Sequence, residues 1–465
     1  MNLRLSSFIL PSAILGLGAL VAVCLFAHKG SWLHLLYPLG ALIVGGLLYL
    51  RYPALYVGFM WWLWFLTPEV RRLLDYQSGW HPQSTVMLAP YLVAGLTFFT
   101  LLRHSPKLQD FPFFPMGLAS AGLLYGFGVG VLKVGMFAAA FDLISWIVPV
   151  MVAFHLVVHW RNYPHYRRVT QRTFSWGVFV MGLYGLWQFF APPVWDQFWM
   201  LSAPMGSIGS PEPLEVRVFS TLNSPGPFAV VMMAGLLVLL SGGSLQKWIA
   251  AGPGFASFLL SLVRSTWGAW IVGLFFLAAH RGRSRPRLLA ALAVIGLIVW
   301  PLLSFGPIAD AIDARLQTIS TLQQDTSFTA RFKFYSEFAP QAFSNLLGEG
   351  LGSTGVATKL STGGELGQFG DFDSGVMAIP FVLGWPGGLL YAGGLVWLSS
   401  YALRRVKRPD LFAAASRGIV VAVLAQLVVA NMVTGVSGMV LWYFLGLAIA
   451  ARLFHNRNIS GAGAG

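Results

Sequence analysis

The sequence predicts an all-α fold, a polytopic membrane bundle of about 12–14 transmembrane helices. Hydrophobic residues make up 56% of the 465 residues and charged residues only 10%, whereas soluble domains carry roughly 25% charged residues. The mean hydropathy is +0.69. Apolar stretches of about 17–22 residues recur along the chain, and this is the length needed to cross the hydrocarbon core of a bilayer.

The apolar stretches extend from the beginning of the chain to its end. They centre near residues 18, 41, 59, 93, 123, 148, 182, 233, 254, 272, 296, 386, 421 and 443. The stretch near residue 254 is short and rich in glycine, so the number of spans ranges from twelve to fourteen. No small-residue cleavage site follows the first stretch, which favours a retained helix over a removed signal peptide. We therefore expect a single transmembrane domain over residues 1–465.

The basic residues predict the orientation of this bundle. The net charge is +14, which in a membrane protein reflects the accumulation of Lys and Arg on the cytoplasmic side rather than a nucleic-acid partner. With fourteen spans and both termini cytoplasmic, the four strongly basic segments share that side. They contain Arg161, Arg167, Arg168 and Arg172; Arg281, Arg283, Arg285 and Arg287; Arg404, Arg405, Lys407 and Arg408; and Arg452 and Arg457. The pair Arg71 and Arg72 is the exception.

The acidic residues gather on the opposite face, in two long loops near residues 192–223 and 306–374. Together these loops hold eleven of the sixteen acidic residues. The eleven are Asp196, Glu212, Glu215, Asp310, Asp313, Asp325, Glu337, Glu349, Glu365, Asp371 and Asp373. Loops longer than about 15 residues are usually functional or disordered. The second loop is predicted to be partly helical, over Ile308–Gln324 and Arg331–Leu347.

Aromatic residues in the first loop predict contact with the membrane surface. Trp195, Phe198 and Trp199 lie close together, and aromatic side chains are enriched where a bilayer meets water. We therefore expect these three residues to be interfacial anchors.

Three arginines lie on the face where topology does not call for them. Arg217 precedes a span, Arg264 lies between two closely spaced spans, and Arg331 begins the second helical pattern of the long loop. Guanidinium is a fork-shaped donor that suits phosphate and diphosphate. The alternatives are an arginine that snorkels to the interface or a structural salt bridge.

Carboxylates near spans are the other candidates for chemistry. Asp371 and Asp373 precede the span near residue 386. A carboxylate there suits a general base for a sugar hydroxyl, and equally an N-cap of the incoming helix. Asp142 lies inside a span, where an ionisable residue is a functional candidate or a structural partner of Lys133.

Several motifs are absent from the sequence. It contains no HExxH, no Cys/His cluster, no Walker A motif and no GxGxxG motif, and its one cysteine, Cys24, excludes an internal disulfide. We therefore expect neither a metal site nor a nucleotide cofactor.

Four of these segments, taken in order, resemble the bacterial O-antigen ligase and Wzy-type polysaccharide polymerase superfamily. The first is Arg217 to Pro225 (RVFSTLNSP) and the second is Ser261 to Ser265 (SLVRS). The third leads from Arg331 to Gly352 and ends in LLGEGLG, and the fourth is Asp373 to Gly387 (DSGVMAIPFVLGWPG). The resemblance covers roughly residues 210–400.

The resemblance implies an inverting, metal-independent GT-C glycosyltransferase with its active site on the periplasmic face of the inner membrane. The donor would be an oligosaccharide on undecaprenyl diphosphate and the acceptor a glycan, with membrane lipid, a chain-length regulator and a flippase as partners. Arg217 and Arg264 would stabilise the diphosphate, and Asp373 would act on the acceptor hydroxyl. Arg331, Lys333 and Asp371 would bind substrate.

One departure separates the chain from the ligases of this superfamily. Ligases usually carry histidine eleven residues before the glycine that corresponds to Gly384, and here that residue is Asp373. This favours a polymerase over an O-antigen ligase that transfers glycan to lipid A core. Alternatives from other classes are a flippase for lipid-linked glycans, which usually shows internal repeats, and a membrane scaffold.

Overall fold

The protein is an all-α membrane bundle, as predicted. The computed structural model describes residues 3–203, 207–242, 246–279, 343–363, 365–367, 374–404 and 410–461, with isolated positions between 293 and 340. Regular secondary structure in these residues is helical, apart from one isolated bridge between Gly209 and Val216. By length and composition, seven described helices can cross a membrane, or eight if the bent pair Trp160–Phe190 and Val194–Ser202 forms one span.

The described helices fall into two compact units. The first contains residues 3–96 and 164–267, and the second contains residues 97–163, 268–279 and the described residues after 342. Most of the predicted span near residue 296 lies outside the described residues, so the number of spans stays a prediction.

The helices of the first unit include a sharp bend near the predicted first long loop. They are α1 (Leu3–Phe26), α2 (Leu33–Arg51), α3 (Pro53–Ser78), α4 (Ala89–Gly95), α8 (Tyr163–Phe190, from Pro164), α9 (Val194–Ser202), α10 (Pro225–Leu240), α11 (Gln246–Leu260) and the first turn of α12 (Arg264–Ala278). α8 and α9 meet at an angle of 78°. The segment after α9 therefore turns back toward the unit, which places Arg217 near the end of α11.

The second unit is built around the last helix. Its helices are α5 (Thr97–Arg103), α6 (Phe114–Lys133), α7 (Met136–Val158), the rest of α12, α13 (Gly375–Leu403), α14 (Leu411–Gln426) and α15 (Gly435–Gly461). The apolar window of α15 is 83% buried, as expected of a helix that is hydrophobic all round. α6 and α13 approach closely at glycines, since a Cβ on Gly122 would lie 2.4 Å from the Gly387 carbonyl oxygen.

Helix α13 is broken near its beginning. Gly384 has φ 62° and ψ −173°, outside the helical region, and a positive φ favours glycine. The break interrupts the helical hydrogen-bond ladder and leaves backbone groups that need other partners. The segment Leu346–Gly352 supplies those partners.

Candidate functional site

The loop that carries Arg217 is fixed to the end of α11 by backbone hydrogen bonds. The Arg217 N–H donates to the Ile208 carbonyl over 3.0 Å, and the Val218 N–H donates to the Leu260 carbonyl over 3.0 Å. The loop thus runs beside the last turn of α11. The sequence separates these segments by about forty residues, and the fold joins them.

The side chain of Arg217 reaches the second predicted arginine segment. Nη1 donates to the Ser207 carbonyl over 2.8 Å and Nη2 donates to the Leu262 carbonyl over 3.3 Å. Leu262 has φ 55°, a left-handed conformation that is uncommon outside glycine. Because Leu262 lies two residues before Arg264, the structure brings the two predicted arginine segments together.

Arg264 begins helix α12. The first turn of a helix presents unpaired N–H groups and the positive end of the helix dipole, and both attract anions. Arg217 and Arg264 are each partly buried, and Arg217 bonds to the residue two positions before Arg264 at the beginning of α12. We call this group the arginine junction. Its chemistry suits a phosphate or diphosphate.

The other predicted site residues, Asp373, Asp371, Arg331 and Lys333, lie outside the described residues. The residue after Asp373 is described. Ser374 is fully buried and is the N-cap of α13, where its Oγ accepts a hydrogen bond from the Met377 N–H over 3.4 Å. The sequence allows Asp373 to cap this helix, but the structure gives that role to Ser374.

A buried ionic network that was not predicted from the sequence lies behind the Arg217 loop. Arg72 in α3 is fully buried, and its Nε lies 3.2 Å from Asp196 Oδ1. A second ion pair joins Arg72 to Glu69. Tyr184 in α8 donates to both carboxylates, over 2.8 Å to Glu69 and 3.1 Å to Asp196. This arrangement satisfies the condition for burying charge, which is pairing together with hydrogen bonding.

The same network holds the loop that follows Arg217. Arg72 donates to the carbonyl oxygens of Ser220 and Leu222, the latter over 2.9 Å. Gln188 Oε1 accepts from the Ser220 N–H over 2.8 Å, and Ser220 has φ 51°. The loop is therefore fixed in an unusual conformation by side chains of α3 and α8.

The sequence did contain one indication of this network, because Arg71 and Arg72 were the exception to the predicted charge pattern. Arg71 and Arg72 lie on the face predicted to lack arginine, and the structure shows that both are buried and paired. Arg71 Nε lies 3.3 Å from Asp75 Oδ2, and its guanidinium lies 4.9 Å from the ring centroid of Trp199. The excess of Lys and Arg on the cytoplasmic side concerns residues in loops, so it does not predict the side on which a buried, paired arginine lies.

Two expectations for the first long loop are wrong. Asp196 does not lie in a loop, because it is part of α9 and is fully buried against Arg72. Trp199 is not an interfacial anchor, because it is 2% exposed and packs in a core with Ile208, Val216 and Phe219. The bend between α8 and α9 turns these residues inward.

In the second unit, the segment Leu346–Gly352 fills the break in α13. The N–H groups of Glu349 and Gly350 donate to the carbonyls of Phe381 and Val382, over 2.8 Å and 2.9 Å, and the Trp385 N–H donates to Leu346 over 3.0 Å. Gly350 has φ 84°, and a Cβ there would lie 2.2 Å from the Gly130 nitrogen. Glycine is therefore required for this close approach.

Asp142 and Lys133 do not pair with each other as the sequence suggested. Asp142 Oδ2 accepts from the Gly352 N–H over 2.9 Å and Oδ1 accepts from Ser145 Oγ over 3.0 Å. Lys133 Nζ donates to the Gly348 carbonyl over 2.8 Å and lies 3.4 Å from Glu349 Oε1. Both residues hold the Leu346–Gly352 segment, which is a structural role.

Comparison with protein-family models finds no match for this chain, and comparison with curated protein sequences finds none either.

Proposed function

We propose that this protein is a glycosyltransferase of the bacterial inner membrane that polymerises undecaprenyl-diphosphate-linked glycan units at the periplasmic face. The observation that carries the proposal is the arginine junction, in which the Arg217 guanidinium donates to the Leu262 carbonyl beside Arg264. Arg217 comes from a distant part of the sequence and bonds to a carbonyl two residues before Arg264, which begins α12, and that arrangement suits the diphosphate of such a donor.

The burial and bonding of Arg217 support a role in binding an anion. The Ser207 and Leu262 carbonyls accept hydrogen bonds from the Arg217 guanidinium and hold it in one orientation. A pre-oriented cation costs little reorganisation when charge develops nearby. The Arg72 network adds rigidity, because it fixes the residues that directly follow Arg217.

The proposed reaction is a direct displacement at the anomeric carbon. The acceptor hydroxyl oxygen forms the new bond to that carbon, and the bond to the diphosphate oxygen breaks with its electron pair leaving on the diphosphate. Arg217 and Arg264 stabilise the negative charge on the leaving group. The Asp373 carboxylate accepts the hydroxyl proton, and Arg331, Lys333 and Asp371 bind the substrates.

Ser374 supports the assignment of Asp373 as the base. An aspartate engaged in capping α13 would be committed to backbone N–H groups, but Ser374 fills that position. Asp373 directly precedes this fixed residue in the chain.

The test is a reconstituted assay with purified protein, an undecaprenyl-diphosphate-linked oligosaccharide and candidate acceptors. We expect a ladder of products, with or without chelator. A single transfer product would indicate a ligase, movement of the donor across the bilayer without bond formation would indicate a flippase, and loss of activity with chelator alone would overturn the metal-independent mechanism.

Asp373→Asn tests the base in the same assay. The variant should insert and bind donor as the wild type does, and should lose glycan transfer by about 10²–10⁴-fold, the usual contribution of general base catalysis. Ser374→Ala is the matched control, since it removes the cap and should leave turnover per folded molecule unchanged. Wild-type turnover by Asp373→Asn would remove Asp373 from the mechanism.

A further inference from the structure

A second arginine of interest lies in the second unit, far along the chain from the arginine junction. Arg417 is in α14, about 9 Å along the helix from Leu411 at ~1.5 Å per residue. Its neighbours on the helix, Ser416 and Gly418, are buried, and Arg417 itself is 7% exposed. A cation so deep in an apolar helix is costly without a partner.

The guanidinium of Arg417 is only partly satisfied by the protein. Its Nε donates to the Ala413 carbonyl, one turn earlier in the same helix, over 3.3 Å. Among the described residues, neither Nη1 nor Nη2 has a hydrogen bond or an ion pair. The fork therefore has two nitrogen donors that the described residues leave for another acceptor.

Asp410, a carboxylate that acts electrostatically on Arg417, is also engaged by other groups. Asp410 Oδ1 accepts from the Tyr163 hydroxyl over 2.9 Å and from the Ala413 N–H over 2.7 Å. Oδ2 lies 3.4 Å from His455 Nε2. Asp410 therefore caps α14 and ties it to α15, and it forms no ion pair with Arg417 in the described structure.

Further positive charge surrounds this position. Arg452 in α15 acts electrostatically on Arg417, and its guanidinium is held by the Arg404 carbonyl over 2.9 Å and lies 4.6 Å from the Tyr401 ring centroid. Arg404 begins the basic run that continues through Arg405, Lys407 and Arg408. Among the described residues that act on Arg417, Asp410 is the carboxylate and Arg452 is a second cation.

We propose that Arg417, with Arg452 beside it, binds the phosphate group of an anionic ligand, and that the phosphodiester headgroup of a membrane lipid is the source that fits best. A phosphate offers two oxygens to the two free donors of the Arg417 fork. The basic run marks this end as the cytoplasmic one by the charge rule, and anionic lipids in that leaflet favour basic pockets between helices. The site is separate from the arginine junction and does not depend on glycosyl transfer.

The experiment measures ligand binding to the purified full-length protein in neutral detergent by native mass spectrometry, with thermal unfolding as a second readout. The probes are phosphatidylglycerol, phosphatidylcholine and inorganic phosphate. We expect the wild type to bind phosphatidylglycerol at least about tenfold more tightly than phosphatidylcholine, since a charge-assisted hydrogen bond contributes about one factor of ten or more. Arg417→Gln should lose that preference.

Two variants make the outcome decisive. Arg103→Gln removes an exposed arginine from the last turn of α5 and should keep the preference. Arg417→Lys keeps the charge but not the fork, and should show a severalfold weaker preference even if Arg417→Gln does not fold. Stabilisation of the wild type by inorganic phosphate alone, abolished in Arg417→Lys, would identify a free phosphate rather than a lipid as the source. Equal binding of the two lipids with no effect of phosphate would overturn the proposal.

Discussion

Arg72 and Arg217 lie in the same unit and donate to carbonyl groups around the same loop, yet their surroundings differ. Arg72 is fully buried between Glu69 and Asp196, with Tyr184 bridging the two carboxylates. Arg217 is partly exposed, and carbonyls of Ser207 and Leu262 hold its guanidinium. The comparison separates two uses of arginine. Two carboxylate partners make Arg72 part of the scaffold, whereas we propose that the partly exposed Arg217 serves a ligand.

Loss of Arg72 should produce the largest effect in this comparison, and it should be an effect on stability. Arg72→Gln leaves two carboxylates buried without their cation, which typically costs about 3–5 kcal/mol. We expect a large fall in the thermal unfolding midpoint in detergent and poor accumulation in the membrane. Lys29→Gln removes an exposed cation and should leave the midpoint unchanged. A normal midpoint for Arg72→Gln would mean that the ion pairs contribute nothing.

Loss of Arg217 should affect activity instead. In the proposed reaction, Arg217→Ala removes one hydrogen-bond donor to the leaving group. Turnover should therefore fall by about 10²–10³-fold. The unfolding midpoint should change little, because the side chain is partly exposed and the loop keeps its backbone bonds to Ile208 and Leu260. If the unfolding midpoint of Arg217→Ala falls as far as that of Arg72→Gln, Arg217 is part of the scaffold, and the two arginines do not differ in role.

A smaller effect is expected for Tyr184→Phe. The change removes the hydroxyl that donates to Glu69 and Asp196 and accepts from Trp195 Nε1 over 2.8 Å. The Arg72 ion pairs remain, so the cost should be that of unmade hydrogen bonds, about 1–3 kcal/mol. Thermal unfolding should place this variant between wild type and Arg72→Gln. A midpoint below that of Arg72→Gln would make the tyrosine, rather than the arginine, the centre of the network.

Much of the fold and part of the site are predictable from local sequence. The helical fold and its membrane character follow from the length of the apolar stretches. Arg217 and Arg264 are recognisable because they lie beside apolar stretches on the face that was predicted to contain few arginines. Pairing across helices is not predictable in this way. Asp196 lies in a segment that was predicted to be a loop. Its burial depends on the bend between α8 and α9, which the local sequence does not predict. Likewise, Asp142 pairs with the Gly352 backbone rather than with Lys133, because the Leu346–Gly352 segment enters between helices.

The central claim is that Arg217 and Arg264 form one anion site, and a double-mutant cycle tests it most directly. Binding of an undecaprenyl-diphosphate-linked oligosaccharide would be measured for the wild type, Arg217→Ala, Arg264→Ala and the double variant, with the monophosphate-linked analogue as a control. We predict a coupling energy of about 1 kcal/mol or more, in the range seen for residues that share a partner, and a smaller coupling with the monophosphate. Additive losses, or equal binding of all four proteins, would contradict a shared site.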